Sequence, residues 1–140
     1  MKKVLVFGTF DIFHEGHRNF LKQARKHGEF LRVVVARDAT VLKVKGRLPR
    51  SSEQQRADTI RKSRLADEVV LGNLNDKYAV VRDFKPDVIC LGYDQEFFTA
   101  ELRRKLNESG LERTKIIRLE PFEPDKYKSS LLRRKMEEGN

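Results

Sequence analysis

The sequence predicts an α/β fold with one doubly wound, five-stranded parallel sheet. Short apolar runs rich in β-branched residues recur along the chain, as is typical of parallel strands buried on both faces. Polar segments with helical spacing separate them, and this alternation favours helices covering a Rossmann-like sheet of strand order 3-2-1-4-5. The predicted strands are residues 4–7, 31–36, 69–71, 88–91 and 116–119. The predicted helices are residues 15–27, 52–64, 76–84, 97–108 and 128–138.

The connections between these elements have their own signals. Residues 36–47, after the second predicted strand, read as a basic loop, and residues 47–50 continue it through Pro49. Ser51 and Ser52 precede Glu53, and serine is a favoured residue at the start of a helix. We therefore expect a long exposed connection that ends at a capped helix.

Length and composition predict one domain spanning residues 1–140. A hydrophobic fraction of 39% is enough to bury a sheet. No stretch reaches the roughly 20 apolar residues of a membrane span. The first residues lead directly into a strand, so we expect no signal peptide and a cytoplasmic protein. The single cysteine, Cys90, lies in an apolar run and is expected to be a core residue of a protein from a reducing compartment.

The charge is strongly positive: 30 lysines and arginines stand against 21 acidic residues, giving +9. Such a balance attracts either nucleic acid or small polyanionic substrates. The chain has no zinc-finger or RNP-type sequence and no separate basic tail. Small polyanions are therefore the favoured partners, and nucleic acid is the alternative.

A single segment carries the clearest chemical signal. Residues 8–17, Gly-Thr-Phe-Asp-Ile-Phe-His-Glu-Gly-His, follow the first apolar run and open the first predicted helix. His14 and His17 are three residues apart, a spacing that places both on one helical face. The first turn of a helix also offers backbone N–H groups and positive dipole potential to a phosphate. Gly16 leaves the approach clear.

This arrangement favours nucleotidyl transfer, in which charge builds on a phosphate as pyrophosphate leaves. The alternative is a metal site. Only His27 and Cys90 remain as further nitrogen or sulfur ligands, too few for an evident tetrahedral set.

The predicted topology gives independent support to this location. Ligands of open α/β sheets bind beyond the carboxyl ends of the strands, where the strand order reverses. For the order 3-2-1-4-5 this point lies between the first and fourth strands. Residues 8–10 and residues 92–95 should therefore face each other and form the two walls of the site.

The segment 8–17 resembles the GTFDxxHxGH signature of the cytidylyltransferase-like nucleotidyltransferases. Within that family the chain is most similar to the archaeal FAD synthases, and the likeness extends over most of its length. The matching stretches are residues 33–38, 45–47, 53–56, 85–88 and 91–95. One departure lies at residues 120–125, Glu-Pro-Phe-Glu-Pro-Asp, where a cysteine-containing segment is expected, so redox sensitivity is not carried over.

The resemblance implies roles for individual residues. His14, His17 and Lys45 would be catalytic, with Lys43 the alternative to Lys45. Ser129, Ser130 and Arg133 would hold the leaving phosphates at the start of the last helix, unless that helix is only a capped basic terminus. The nucleotide-binding residues it implies are Gly8, Thr9, Phe10, His14, Glu15, Gly16, His17, Asp94, Ser129, Ser130 and Arg133.

The resemblance also implies a reaction: transfer of AMP from ATP to FMN, giving FAD and pyrophosphate. A divalent cation, magnesium in type, would be held mainly by the substrate phosphates, with Asp11 as a possible helper ligand. Phe97, Phe98 and Phe122 could stack on a flavin or serve the core. The alternative acceptor is another phosphorylated small molecule, a polyol or sugar phosphate such as glycerol-3-phosphate or heptose phosphate, with CTP or ATP as donor. A homodimer is possible.

Overall fold

Five parallel strands form one sheet in the computed structural model, which describes residues 1–93, 95 and 99–121, with only the backbone at 99 and 100. The strands are β1 (Lys3–Gly8), β2 (Phe30–Val35), β3 (Glu68–Leu71), β4 (Val88–Leu91) and β5 (Lys115–Arg118). Their order β3-β2-β1-β4-β5 confirms the predicted topology. Val6 of β1 is paired with Val33 of β2 on one side and with Cys90 of β4 on the other.

Helices cover both faces of this sheet. Successive side chains of a strand point to opposite faces, and β1 shows this directly. Val4 and Val6 pack with the helices Glu15–Arg25 and Glu53–Ser63, whereas Leu5 packs with the helices Ala79–Phe84 and Thr99–Glu108. The helices are α1 (Glu15–Arg25), α2 (Asp38–Lys45), α3 (Glu53–Ser63), α4 (Ala79–Phe84) and α5 (Thr99–Glu108). The predicted helix over residues 128–138 lies outside the described residues.

One prediction was wrong: most of the expected loop over residues 36–47 is the helix α2. Val41 is its one buried residue, so the sequence there has little apolar periodicity to reveal a helix. The start of α2 is held from outside, since the Asp38 amide donates to Glu53 Oε1 at 2.7 Å and the Glu53 amide donates to Asp38 Oδ2 at 3.2 Å. Gly46 ends the helix in the left-handed conformation, with φ 78°.

The cap expected at the next helix is present. Ser52 Oγ accepts a hydrogen bond from the Gln55 amide at 3.2 Å, and Gln55 Oε1 accepts one from the Ser52 amide at 3.0 Å. This reciprocal capping box satisfies two amide donors at the helix start. It also sets the direction in which the chain enters α3.

Cys90 is confirmed as a core residue. Its side chain is fully buried in β4, and burial raises the pKa of the thiol to about 12. A thiol in this state is a poor nucleophile. Across the part of the chain that the structure describes, no helix has the length and apolar character needed to cross a bilayer.

Candidate active site

The loop after β4 contacts the end of β1 at the carboxyl edge of the sheet. Gln95, in the loop after β4, donates through Nε2 to the carbonyl oxygen of Phe7 at 3.0 Å. Its Oε1 accepts from the Gly92 amide at 2.7 Å. Because β1 and β4 are neighbouring strands, this side chain joins their ends directly. Asp94, expected in the same wall, lies outside the described residues.

His14 and His17 are brought together more closely than helical spacing alone would require. His14 is the N-cap of α1, and its Nδ1 accepts from the Gly16 amide at 3.0 Å. Nδ1 of His17 accepts from the His14 amide at 3.3 Å. The two rings stack with centroids 3.8 Å apart. Two backbone amides expected to be available to phosphate are therefore bound by imidazoles.

This capping arrangement determines where the imidazole protons lie. A nitrogen that accepts a hydrogen bond carries no proton, so a neutral imidazole bound through Nδ1 carries its proton on Nε2. Burial lowers the pKa of His17 to about 3, and the charges of His14 and Lys45 act in the same direction. Burial also lowers the pKa of His14, against the opposing effect of Glu15. Both side chains are thus neutral donors through Nε2 at pH 7.

Aromatic rings fix the orientation of His17. The Phe13 ring stacks on it at 5.6 Å between centroids, with an interplanar angle of 19°. The Phe10 ring meets it edge-on at 5.5 Å and 72°. A ring packed from several sides has few alternative rotamers, so the Nε2–H group is preorganised before a substrate arrives.

The loop between β1 and α1 is shaped by close packing around Phe10. A Cβ placed on Gly8 would lie 2.6 Å from the Phe10 ring, so only glycine fits beneath that ring. Phe10 itself has φ 55° and Ile12 has φ 53°, in the left-handed region that non-glycine residues rarely adopt. Such conformations persist only where surrounding contacts hold them.

Lys45, at the last position of α2, reaches the neighbourhood of the histidines. Its positive charge contributes to the lowered pKa of His17, an effect that requires proximity across the space between α2 and α1. Lys45 was expected on a loop and is instead on a helix. The charge of Lys45 thus acts on His17 from the end of this helix, and its catalytic role stays a prediction.

Asp11 makes structural contacts, and its role as a helper ligand of a cation stays a prediction. It is buried, and its two carboxylate oxygens accept the backbone amides of Arg50, at 2.9 Å, and Ser51, at 3.1 Å. Its contacts thus join the β1–α1 loop to the segment before α3. Among the described residues, no three His, Cys, Asp or Glu side chains converge to hold a cation.

The remaining predicted residues divide into two sets. Glu15 lies in the first turn of α1 and forms an ion pair with Arg18 at 3.4 Å. The carbonyl oxygen of Thr9 accepts a hydrogen bond from Arg56 at 2.8 Å. The others are outside the described residues, together with the three phenylalanines considered for stacking. That set is Ser129, Ser130, Arg133, Phe97, Phe98 and Phe122.

Sequence reasoning missed the polar residues that support this site from behind. Arg56, Asp38 and Glu53 are linked to one another and to the β1–α1 loop. They lie in stretches 33–38 and 53–56, which resemble the archaeal FAD synthases, but composition and spacing gave them no role. No periodicity in the sequence distinguishes Arg56 from the exposed arginines near it, because its burial depends on where three distant segments meet.

The parallel sheet and the preorganised pair of imidazoles at its switch point are features of a nucleotidyltransferase. A model of the cytidylyltransferase-like family matches residues 5–135. The chain therefore belongs to the cytidylyltransferase-like family.

Individual relatives agree with this assignment. A FAD synthase of Thermoplasma volcanium is 40% identical over 138 residues, which cover 99% of this chain and 96% of the relative. A FAD synthase of Pyrococcus horikoshii is 42% identical over 130 residues, covering 91% and 87%. A crystal structure described as a lipopolysaccharide core biosynthesis protein from Thermoplasma volcanium is 41% identical, with a TM-score of 0.81 over 88% of this chain and 99% of that one.

Proposed function

We propose that this nucleotidyltransferase transfers AMP from ATP to FMN, forming FAD and releasing pyrophosphate. The observation that supports this acceptor is identity of about 40% to FAD synthases over nearly the whole length of both chains. The architecture is in agreement, because the stacked imidazoles lie at the carboxyl edge of the sheet, where nucleotides bind in folds of this kind.

The reaction is an in-line displacement at the α-phosphorus of ATP. An oxygen of the FMN phosphate forms the new bond, and the bond from the α-phosphorus to the oxygen bridging to the β-phosphate breaks. The leaving pyrophosphate carries away that bond's electron pair. No covalent enzyme intermediate is required. Because both reactants are anions, alignment and charge stabilisation supply most of the catalysis.

His14, His17 and Lys45 have complementary parts in this step. The Nε2–H groups of the histidines would donate to phosphate oxygens whose charge grows in the transition state. Because both rings are neutral and held by packing and hydrogen bonds, their side chains need little rearrangement during the reaction. Lys45 would add a full positive charge at the transferred α-phosphate. The β1–α1 loop, including Gly8, Thr9 and Phe10, would line the nucleotide together with Glu15 and Gly16.

The terminal segment would complete the phosphate site. By the resemblance, Ser129 and Ser130 at the start of the last helix and Arg133 one turn on would hold the β- and γ-phosphates. A guanidinium offers two parallel hydrogen bonds to a phosphate, which suits this position. Asp94 would accept hydrogen bonds from the ribose or the base.

A divalent cation of the magnesium type would enter with ATP, bound mainly by the phosphates. When bound, such an ion neutralises phosphate charge and favours departure of pyrophosphate. The described side chains do not form a cage for it, and the contacts of Asp11 with Arg50 and Ser51 favour a structural role for that carboxylate.

A second acceptor has specific support. The related crystal structure from Thermoplasma volcanium is described as a lipopolysaccharide core biosynthesis protein, which favours a sugar phosphate of the heptose type. The same imidazole pair could activate either acceptor, because both present a phosphate oxygen as the nucleophile. The difference between them lies in the acceptor pocket and not in the reacting groups.

The deciding experiment incubates the protein with a divalent metal and each pair of donor and acceptor. ATP or CTP is combined with FMN, heptose phosphate or glycerol-3-phosphate, and flavins and released pyrophosphate are measured. We expect ATP with FMN to give FAD and pyrophosphate in equal amounts. If a sugar or polyol phosphate is turned over and no FAD forms, that phosphate and not FMN is the acceptor.

We further infer that residues 1–140 act as one domain and that the charge of +9 serves polyphosphate substrates and not nucleic acid. Titration of labelled tRNA at physiological salt tests the second point. Binding that disappears as salt is added would reflect the overall charge alone. Tight, salt-resistant binding would assign the basic surface to RNA.

A further inference from the structure

Arg56 is a buried cation that does not belong to the predicted site. It lies on α3, is 2% exposed, and is the largest fully buried side chain of the described residues. Its guanidinium donates through Nε to the Ser51 carbonyl oxygen at 3.1 Å, through one terminal nitrogen to that of Thr9 at 2.8 Å, and through the other to Asp38 Oδ1 at 2.7 Å.

Burial of a cation is weak support for stability. Removing the Arg56 guanidinium from water is costly even with Asp38, whose side chain is 32% exposed, as its partner, and well-packed apolar side chains often stabilise a fold equally well. The contacts of Arg56 instead have a geometric consequence, because a planar guanidinium offers its donors in fixed directions. It therefore sets the relative positions of the three segments it joins.

The first of these segments is the β1–α1 loop. Thr9, whose carbonyl accepts from Arg56, precedes Phe10 and Ile12, the two residues held at positive φ. Asp11 makes the return connection by accepting the amides of Arg50 and Ser51. The loop that leads to His14 is thus tied to the start of α3 from both sides, by a buried cation and a buried carboxylate.

The second segment is α2. Asp38, its first residue, accepts from Arg56 and exchanges hydrogen bonds with Glu53 of α3. Lys45 is the last residue of the same helix. An eight-residue helix is about 12 Å long and moves as a unit, so fixing Asp38 at one end restricts where Lys45 can lie at the other.

We propose that Arg56 is a positioning residue for phosphate transfer: its guanidinium holds the imidazole pair of α1 and the lysine of α2 in a single geometry, without touching substrate. The proposal deepens the proposed function, since it assumes that these groups act on one phosphate centre. Arg56 thereby joins the two parts of the site that the sequence places 28 residues apart, from His17 to Lys45.

The first test replaces the planar guanidinium of Arg56 by an amine while keeping the positive charge. Arg56→Lys should lower the turnover number at saturating substrates by about 10- to 100-fold, the cost of a displacement of about 1 Å, and change the KM for ATP much less. Arg61→Lys is the matched control. Arg61 lies on the same helix, pairs with Asp58 at 2.8 Å and donates to the Val69 carbonyl at 3.0 Å, away from the histidines. Equal effects of the two substitutions would overturn the proposal.

A double-mutant cycle tests whether Arg56 acts through Lys45. In a Lys45→Ala background, Arg56→Lys should lose a large part of its effect on turnover, because the lysine that it positions is gone. The loss of turnover that remains in this background would measure the effect of Arg56 on the histidines. If the fold-loss of turnover in the double variant equals the product of the two single-variant losses, the connection through α2 is contradicted. A loss of folding alone would likewise reduce turnover by the same factor in both backgrounds.

A measurement without turnover separates this proposal from the choice of acceptor. In ligand-free protein, the ¹⁵N imidazole signals of His17 should be those of a neutral ring with its proton on Nε2. Arg56→Lys should shift these signals or populate the other tautomer, while Arg61→Lys should not. If the parent protein fails to use FMN but these shifts occur, the acceptor is wrong and the role of Arg56 stands. Unchanged signals together with unchanged turnover would remove that role.

If Arg56→Lys does not fold, Asp38→Asn replaces it in the same experiments. This substitution keeps the shape of the side chain and removes the charge that Arg56 binds. It should give the same reduction of turnover and the same imidazole shift, in the same direction. An Asp38→Asn protein indistinguishable from the parent in both measurements would overturn the proposal.

Discussion

His14 and His17 cap each other: the His14 amide donates to Nδ1 of His17 at 3.3 Å, and their rings stack at 3.8 Å. His14 in turn accepts from the Gly16 amide. Each imidazole therefore has a structural contact on Nδ1, and its proton lies on Nε2. The structural role belongs to Nδ1 and the proposed chemical role to Nε2, so substitutions can separate them.

The clearest test is at His17. His17→Ala should reduce turnover by about 10²- to 10³-fold, with a smaller effect on ATP binding, because the lost donor serves charge that develops in the transition state. His17→Asn should restore the cap through its amide oxygen and recover about 1 kcal/mol of stability, without recovering the rate. Steady-state kinetics and urea unfolding of both variants measure the two effects. His14→Ala should resemble His17→Ala.

His27→Ala serves as the control for these variants, since His27 lies beyond the end of α1. It should retain the turnover of the parent protein. A His17→Asn protein as active as the parent would show that Nε2 is not a catalytic donor.

Lys45 and Lys43 form a matched pair on α2. Lys45→Ala should depress turnover at saturating ATP by about 10-fold or more and change nucleotide affinity less, since its charge acts on the transferred phosphate. Lys43→Ala should have little effect on either quantity. The comparison requires turnover and ATP binding for both variants. A reversal of their effects would assign the role to Lys43.

Arg133 tests the terminal phosphate site. Arg133→Ala should raise the ATP concentration needed for half-maximal turnover and weaken inhibition by pyrophosphate. Arg133→Lys keeps the charge but not the planar fork, so an appreciable loss of ATP affinity there indicates bidentate contact. Arg134→Ala is the neighbouring control. An Arg133→Ala protein that binds ATP and pyrophosphate normally would leave the last helix with a structural role only.

Gly8 tests the packing of the loop. Gly8→Ala should cost about 1–3 kcal/mol of stability, because the new methyl group would lie 2.6 Å from the buried Phe10 ring and would displace it. Turnover should fall as well, since Phe10 contacts His17. Gly72→Ala, whose Cβ would meet Val34 at an ordinary 3.5 Å, is the control for thermal unfolding. Equal stability of the two variants would contradict this account.

The lowered pKa of His17 predicts a pH dependence of stability. The imidazole titrates near 6.5 in the unfolded chain and at about 3 in the folded protein. Between these values only the unfolded state binds the proton, so the stability contributed by neutral His17 is complete above pH 6.5 and is lost as the pH falls towards 3. The loss approaches about 1.4 kcal/mol per pH unit within that window.

Urea unfolding of the parent and of His17→Asn at pH 7, 6 and 5 measures this loss. The carboxyl groups common to both proteins cancel in the comparison. The stability of the parent relative to the variant should therefore decrease as the pH is lowered. A constant difference would mean that His17 is not buried in its neutral form.

The sheet and the location of the site could be predicted because their signals are local. Continuous apolar runs identified all five strands to within about one residue, and the parallel topology placed the site between β1 and β4. The histidine pair was recognisable because its spacing and its position between strand and helix are both contained in residues 8–17. These features depend on neighbours along the chain.

Other features depend on contacts between distant segments, and only the tertiary structure decided them. α2 has one buried residue, so its formation depends on Asp38 and Glu53, 15 residues apart. Asp11 accepts hydrogen bonds from the backbone amides of Arg50 and Ser51, about 40 residues further along the chain, which no local pattern could predict. Arg56 is buried and hydrogen-bonded to three segments only in the assembled fold, because burial is a property of the fold and not of the residue.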